Sequence, residues 1–279
     1  MPPTQLDKAQ IDKARQFRAL HEAPEAFVVA NVWDGGSARM MAALGFAALA
    51  TSSGASAGLL GRRDGRVTRE EALAQARVIC DATDLPVSAD LEKGFGDAPE
   101  VVAETIRLAA GAGLVGCSIE DASGNPDAPI YELGHATERI AAAAAAARAL
   151  PFPFTLTGRT ENFLRGRADL DDTIRRLKAF EAAGANALMA PGLPDLDAVR
   201  AVCAATEKPF NFMVGIKGRS FTVAALAGAG VKRISLATSL YKAAMTGLLN
   251  AAKEVREHGT FGYLDTSLGT PEMNAFMRE

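Results

Sequence analysis

Cysteine is scarce in this chain, with three among 279 residues. An odd number at wide spacing excludes a disulfide framework. Cys80, Cys117 and Cys203 are therefore read as reduced, mostly buried thiols. An excess of one charge is also missing: the formal net charge is −3. Neither a basic run nor a basic patch interleaved with aromatics appears, so the sequence gives no electrostatic reason to expect nucleic acid or an anionic membrane as a partner. No apolar stretch reaches the ~18 residues of a membrane span, and no basic segment leads into an apolar one at the amino terminus. The expectation is a soluble, cytoplasmic protein with a small-molecule partner.

Hydrophobic residues make up 48% of the chain and charged residues 23%, enough for a large core. Apolar positions at helical spacing (Ile11, Ala14, Phe17, Leu20) predict an amphipathic helix over residues 7–21. A regular pattern then begins. Strands are predicted at 27–32, 46–53, 86–91, 115–119, 152–157, 186–190, 209–214 and 232–237. Helical stretches follow all but the second, which runs into a Gly- and Ser-rich loop (54–61) before its helix. Thr68 with Glu71 three residues on is a capping-box signature. The alanine run at 141–147 is strong helix propensity. After a helix over 240–258 the tail reads as irregular. Eight strand–helix repeats in one domain over residues 1–279 indicate a (β/α)8 TIM-type barrel. A doubly wound sheet would show a Gly-rich phosphate turn after its first strand, and Asp34-Gly35-Gly36-Ser37 does not match one.

Chemistry in such a barrel sits at the carboxyl ends of the strands. The polar residues there are Asn31, Trp33 and Asp34, then Ser52 and Ser53, Asp90 and Glu92, Glu120 and Asp121, Arg159, Glu161 and Asn162, Asn211, Thr238 and Ser239. On an extended strand, Asp90 and Glu92 point to one face. A like-charged pair there calls for solvation or a cation. Gly94 and Gly96 let the backbone turn behind it. Arg159 can grip a carboxylate in a bidentate fork. Asp121 suits orienting the loop that follows it, and His135 a surface or capping role.

These motifs resemble the isocitrate lyase/phosphoenolpyruvate mutase superfamily over nearly the whole chain. The segment from Asn31 through Arg39 matches its first-strand motif. Ser52-Ser53 and Gly61-Arg62-Arg63-Asp64 match its second-strand serine and following turn. Asp90-Leu91-Glu92-Lys93-Gly94-Phe95-Gly96 matches Asp-x-Asp-x-Gly-Tyr-Gly, with Glu92 in place of the second Asp. Glu120-Asp121 and Arg159 complete the set. The resemblance implies Mg2+, or Mn2+ in its stead, held by Asp90, Glu92 and Glu120 partly through water. It also implies a 2-oxo or 2-hydroxy carboxylate bound by Ser52, the Ser53 amide and Arg159, with Trp33 and Asn211 lining the substrate site. Asp64 would be supporting or catalytic. The shared chemistry forms or consumes an enolate of pyruvate or a close relative.

The chain departs from the pattern in informative places. The Lys-Lys-Cys-Gly-His loop of isocitrate-type lyases is replaced by residues 122–133, which contain no cysteine. The histidine that phosphonopyruvate-handling relatives carry after strand six is replaced by Ala190-Pro191-Gly192. A reaction with little acid–base machinery fits best. Decarboxylation of oxaloacetate needs only enolate stabilisation and a proton from water or Tyr131. Cleavage of a substituted malate would also need a base, for which Tyr131, His135 and Asp64 are the candidates. A phosphonopyruvate hydrolase or phosphoenolpyruvate mutase-type P–C enzyme, or a 2-oxo acid-binding relative without turnover, are the other readings. The resemblance further implies an oligomer, commonly a tetramer, through residues 240–279, in which the eighth barrel helix is exchanged between subunits.

Overall fold

Alternation within the strands builds this molecule. Residues 8–277 are described, from a computed structural model. Eight strands, β1 (Phe27–Asn31), β2 (Leu49–Ala50), β3 (Val87–Asp90), β4 (Gly116–Glu120), β5 (Thr155–Arg159), β6 (Ala187–Met189), β7 (Phe210–Met213) and β8 (Arg233–Ser235), close into one parallel barrel in sequence order. β1 pairs with β8 in the register Phe27 to Arg233, which seals the ring. The helices between them are α2 (Gly35–Ala43), α3 (Ser53–Leu59), α4 (Arg69–Ala82), α5 (Pro99–Gly111), α6 (Leu133–Arg148), α7 (Leu170–Ala182), α8 (Leu196–Ala205) and α9 (Val223–Gly228). Helix α1 (Lys8–Glu22) precedes the barrel, and α10 (Ser239–His258) and α11 (Thr270–Ala275) follow it.

Successive side chains on a strand face opposite sides. Cys117, Ile119, Leu156, Leu188, Phe210, Phe212 and Ile234 pack outward into the apolar core beneath the helices. The alternate positions Ser88, Asp90, Ser118, Arg159, Asn211, Arg233 and Ser235 line the barrel interior. That interior is mixed: Val29, Ala50, Met189 and Met213 also line it, but serine, asparagine and arginine take places that branched aliphatics ordinarily fill in a barrel of this class.

Local signals set the helix ends. Thr68 and Glu71 form the predicted capping box of α4, a feature worth about 1 kcal/mol. Asp34, Asp169 and Asp195 cap α2, α7 and α8 through their carboxylates. Helix α1 plugs the amino-terminal end of the barrel. Gln10 donates to the carbonyls of Ala110 and Leu114, and Phe17, His21 and Phe27 stack edge to face.

Three expectations are corrected. The stretch 54–61 is not a loop: most of it is α3, whose glycines and alanines pack closely against the barrel mouth. The tail is not irregular, since a 3-10 turn (Gly262–Thr266) and α11 follow α10. Strand β3 ends at Asp90, and Glu92 adopts a left-handed backbone with φ of 50°. Asp90 and Glu92 therefore do not share one extended face.

Candidate active site

Arg159, the last residue of β5, stands at the centre of a buried charge cluster. Its guanidinium lies 2.7 Å from the Glu161 carboxylate, 3.3 Å from Glu120 Oε2 and 3.4 Å from Asp90 Oδ2. Arg165 approaches the same acids, at 3.2 Å from Glu161 and 3.7 Å from Glu120. Three carboxylates thus share two arginines in a largely dry site, leaving an excess of negative charge. Ser53 donates a hydrogen bond to Asp90 Oδ2 at 3.2 Å, and the Glu92 amide donates to Asp90 Oδ1 at 3.2 Å.

That excess shows in proton affinities. Burial pushes the Glu92 carboxyl up to about 7, helped by the charges of Asp90 and Asp64. Burial likewise drives Glu120 well above the usual carboxylate range, against the pull of Arg159. Acids that resist ionising together are what a divalent cation would relieve. Among the described residues, no three His, Cys, Asp or Glu side chains converge closely enough to cage a metal by themselves. Mg2+ does not need such a cage, because it binds through one or two carboxylates and keeps several waters. Asp90 at the cavity wall, with Glu92 and Glu120 close enough to feel its charge, is a donor set that fits this cation.

Arg159 lines a cavity of about 270 Å3. Of the residues singled out in the sequence, Ser52, Ser53, Asp64, Asp90, Arg159 and Asn211 line it. Ser52 shares a 2.9 Å hydrogen bond with Thr238, linking the ends of β2 and β8. Asn211 is held by Arg233, which donates to its Oδ1 at 2.9 Å, and itself donates to Ser235. Glu92 and Glu120 are not among the lining residues.

Trp33 and Tyr131 lie outside the cavity lining. Trp33 packs edge to face on Tyr241 at 5.4 Å. Tyr131 donates to Asp97, and its ring lies 4.3 Å from the Arg139 guanidinium carbon. His135 contacts the Asp97 carbonyl at 3.0 Å, a surface role as expected.

One residue was given no role from sequence, and another acts on a different element from the one expected. Glu161, noted only as a strand-end residue, is almost fully buried and is the nearest acid to Arg159. Asp121 accepts from the Glu161 amide at 2.8 Å, from Thr160 at 2.8 Å and from Arg176 at 3.1 Å. It is the brace that fixes the β5 terminus, where the sequence pointed to the loop after Asp121. A buried acid two residues after a strand-end arginine is the only sequence signal that pointed to Glu161.

Comparison with known proteins agrees with this architecture. The phosphoenolpyruvate phosphomutase family model matches residues 17–256. An oxaloacetate decarboxylase of Chromohalobacter salexigens is 30% identical over 256 residues, covering 89% of this chain and 87% of that protein. A solved structure from Burkholderia cenocepacia J2315, provisionally named a lyase/mutase, superposes with a TM-score of 0.95 at 50% identity, covering 97% of both chains. The structure of an oxaloacetate acetylhydrolase with its product oxalate superposes with a TM-score of 0.86 at 25% identity, over 95% of this chain and 94% of that one. The closed eightfold barrel, the acidic cluster around Arg159 and a family match spanning most of the sequence lead to one assignment: this chain belongs to the phosphoenolpyruvate phosphomutase family, within the isocitrate lyase/phosphoenolpyruvate mutase superfamily.

Proposed function

We propose that this chain is a divalent-cation-dependent carbon–carbon lyase of small 2-oxo or 2-hydroxy dicarboxylates, and that decarboxylation of oxaloacetate is the reaction its site suits best. One observation carries this reading. The ionisable side chains lining the cavity are Asp64, Asp90, Arg159, Arg233 and Lys242, with no histidine, cysteine or tyrosine among the lining residues. Such a wall stabilises and positions charge but offers few groups for shuttling protons. The names of two relatives, an oxaloacetate decarboxylase and an oxaloacetate acetylhydrolase bound to oxalate, support the substrate class.

β-Decarboxylation asks for little more. The C3–C4 bond breaks as CO2 leaves, its electron pair moves onto the C2 oxygen as an enolate, and C3 is then protonated from water. Arg159, kept charged by its acids, faces the developing oxyanion with a fixed guanidinium. Ser53 and the backbone at the start of α3 hold the C1 carboxylate. Asp64 at the cavity mouth is the one lining acid outside the Arg159 cluster, and it orders the approach of water. Bound Mg2+, held by Asp90 and through water by Glu92 and Glu120, would supply Lewis-acid stabilisation of the enolate charge.

The test is pyruvate release from oxaloacetate by purified protein with Mg2+, against a metal-only background, with substituted malates and phosphonopyruvate as parallel substrates. Oxaloacetate turnover is expected to vanish with EDTA and to fall by about 10²–10³ in kcat/KM for Asp90→Ala. Phosphate release from phosphonopyruvate would instead make it a P–C enzyme. A rise in Tm with 2-oxo acids that are never consumed would make it a binding protein.

A further inference from the structure

Arg233 opens β8 near the barrel floor, buried and facing the cavity that also holds Arg159. Its neighbours are all neutral acceptors. The Nε–H donates to Asn211 Oδ1 at 2.9 Å, one Nη2–H donates to Thr157 Oγ1 at 2.9 Å, and Nη1 lies 3.3 Å from His21 Nε2. Among the described residues, no carboxylate forms an ion pair with it. Guanidinium carries five N–H donors, so two remain beyond these three contacts. A buried charge without a counter-charge is expensive, costing several kcal/mol in desolvation alone. Arg159 differs in kind, since its charge is already shared among Asp90, Glu120 and Glu161.

The surroundings suit an anion. Ser88, Ser118, Asn211 and Ser235 put hydroxyl and amide groups among Val29, Met189 and Met213 on the wall of a volume that aliphatic layers ordinarily fill. Thr157, which holds Arg233, and Arg159 lie two residues apart on β5, about 7 Å along the strand. Those two side chains share the inward face of β5, so Arg159 and Arg233 stand at two depths of one cavity.

We infer that Arg233 is the specificity-determining residue for the second carboxylate of the substrate: the end near Arg159 binds as the 2-oxo or 2-hydroxy acid, and the far carboxylate descends to Arg233. This rests on the dicarboxylate reading of the site and adds to it the group that recognises the second charge. Where that carboxylate departs as CO2, its charge disperses in the transition state. The Arg233 contact is then strongest in the ground state, so its loss raises KM more than it lowers kcat.

The test compares malate with lactate, which share a 2-hydroxy acid head and differ in the second carboxylate. Binding to the whole protein is measured by calorimetry with Mg2+. A charge-assisted pair predicts that wild type prefers malate by about tenfold or more. In Arg233→Met the ratio should collapse to about twofold or less, while Arg233→Lys should retain part of it. A folded Arg233→Met that keeps the full preference overturns the inference, and loss of the preference in Lys242→Ala instead would place the second carboxylate at the cavity lip. Failure of wild type to bind either acid would defeat the dicarboxylate reading itself. If neither Arg233 variant folds, a crystal structure of wild type with Mg2+ and malate decides, because the distal carboxylate must lie within hydrogen-bond distance of Arg233.

Discussion

At the scale of single residues, the barrel floor sets how this protein meets acid. His21 donates from Nδ1 to the Phe17 carbonyl at 2.8 Å and so presents Nε2 as an acceptor to Arg233. Burial, then the charges of Arg233 and Lys232, hold the imidazole down to about 3. Between about 3 and the unfolded value of 6.5 the unfolded chain takes up the proton and the native chain does not. The stability this group contributes is complete above pH 6.5 and is lost as pH falls toward 3. At pH 5 the loss relative to pH 7 is about 2 kcal/mol. His21→Gln keeps an acceptor but no titration, so its stability should fall less than wild type over that range in denaturant titrations at the two pH values. Equal slopes would refute the assignment. The positions of Asp90 and Arg159 at the mouth of the barrel were legible in the sequence because both sit where a strand pattern ends. Arg233 and the serines above it were not. They lie inside short apolar runs, where reading only strand ends hides the residue that faces inward, though a period of two would have exposed it.

Among elements, the join between β4, β5 and α7 carries the most polar weight. Asp121 takes hydrogen bonds from the ends of β5 and, through Arg176, from α7, while Asp172 holds the other side of Arg176 and Asn162. Both partners in the Asp121–Arg176 pair are almost wholly buried. Asp121→Ala should therefore cost about 3–5 kcal/mol, by leaving Arg176 short of a counter-charge. It should also reduce activity beyond the stability loss, because the Glu161 amide that Asp121 fixes lies two residues from Arg159. A variant as stable as wild type would show that the network is not a brace. Strand order and most helices were plain from periodicity, and Thr68 and Glu71 marked a helix start outright. The sequence Ser-Gly-Ala-Ser-Ala-Gly-Leu gave no sign of α3, because glycine and serine are poor helix formers. Packing decides there: a Cβ on Gly58 would come within 2.5 Å of the Tyr241 hydroxyl, so a residue that weakens the helix alone is the one that lets it fit.

For the whole molecule, the unfinished surface is α10. None of its residues is buried, and Leu248 and Leu249 are 63% and 53% exposed. Phe261, Leu264 and Leu268 extend the same apolar character into the segment that follows. No helix among the described residues is long and apolar enough to cross a membrane. A second copy of this chain is the expected cover, consistent with an assembly built through residues 240–279. Sedimentation should show an oligomer for wild type and smaller species for Leu248→Glu combined with Leu249→Glu. A monomeric wild type would refute it.

The division of β3, β4, β5 and β8 into an outward apolar set and an inward polar set has an evolutionary consequence. Ser88, Ser118 and Ser235 touch the ligand space, whereas Ile119, Leu156 and Ile234 hold the helices. The two sets occupy alternate positions, so they are free to drift separately. Enlarging one serine would reshape what the barrel admits while leaving its outer packing alone, and a change of substrate is then open to this fold through single substitutions at little cost in foldability.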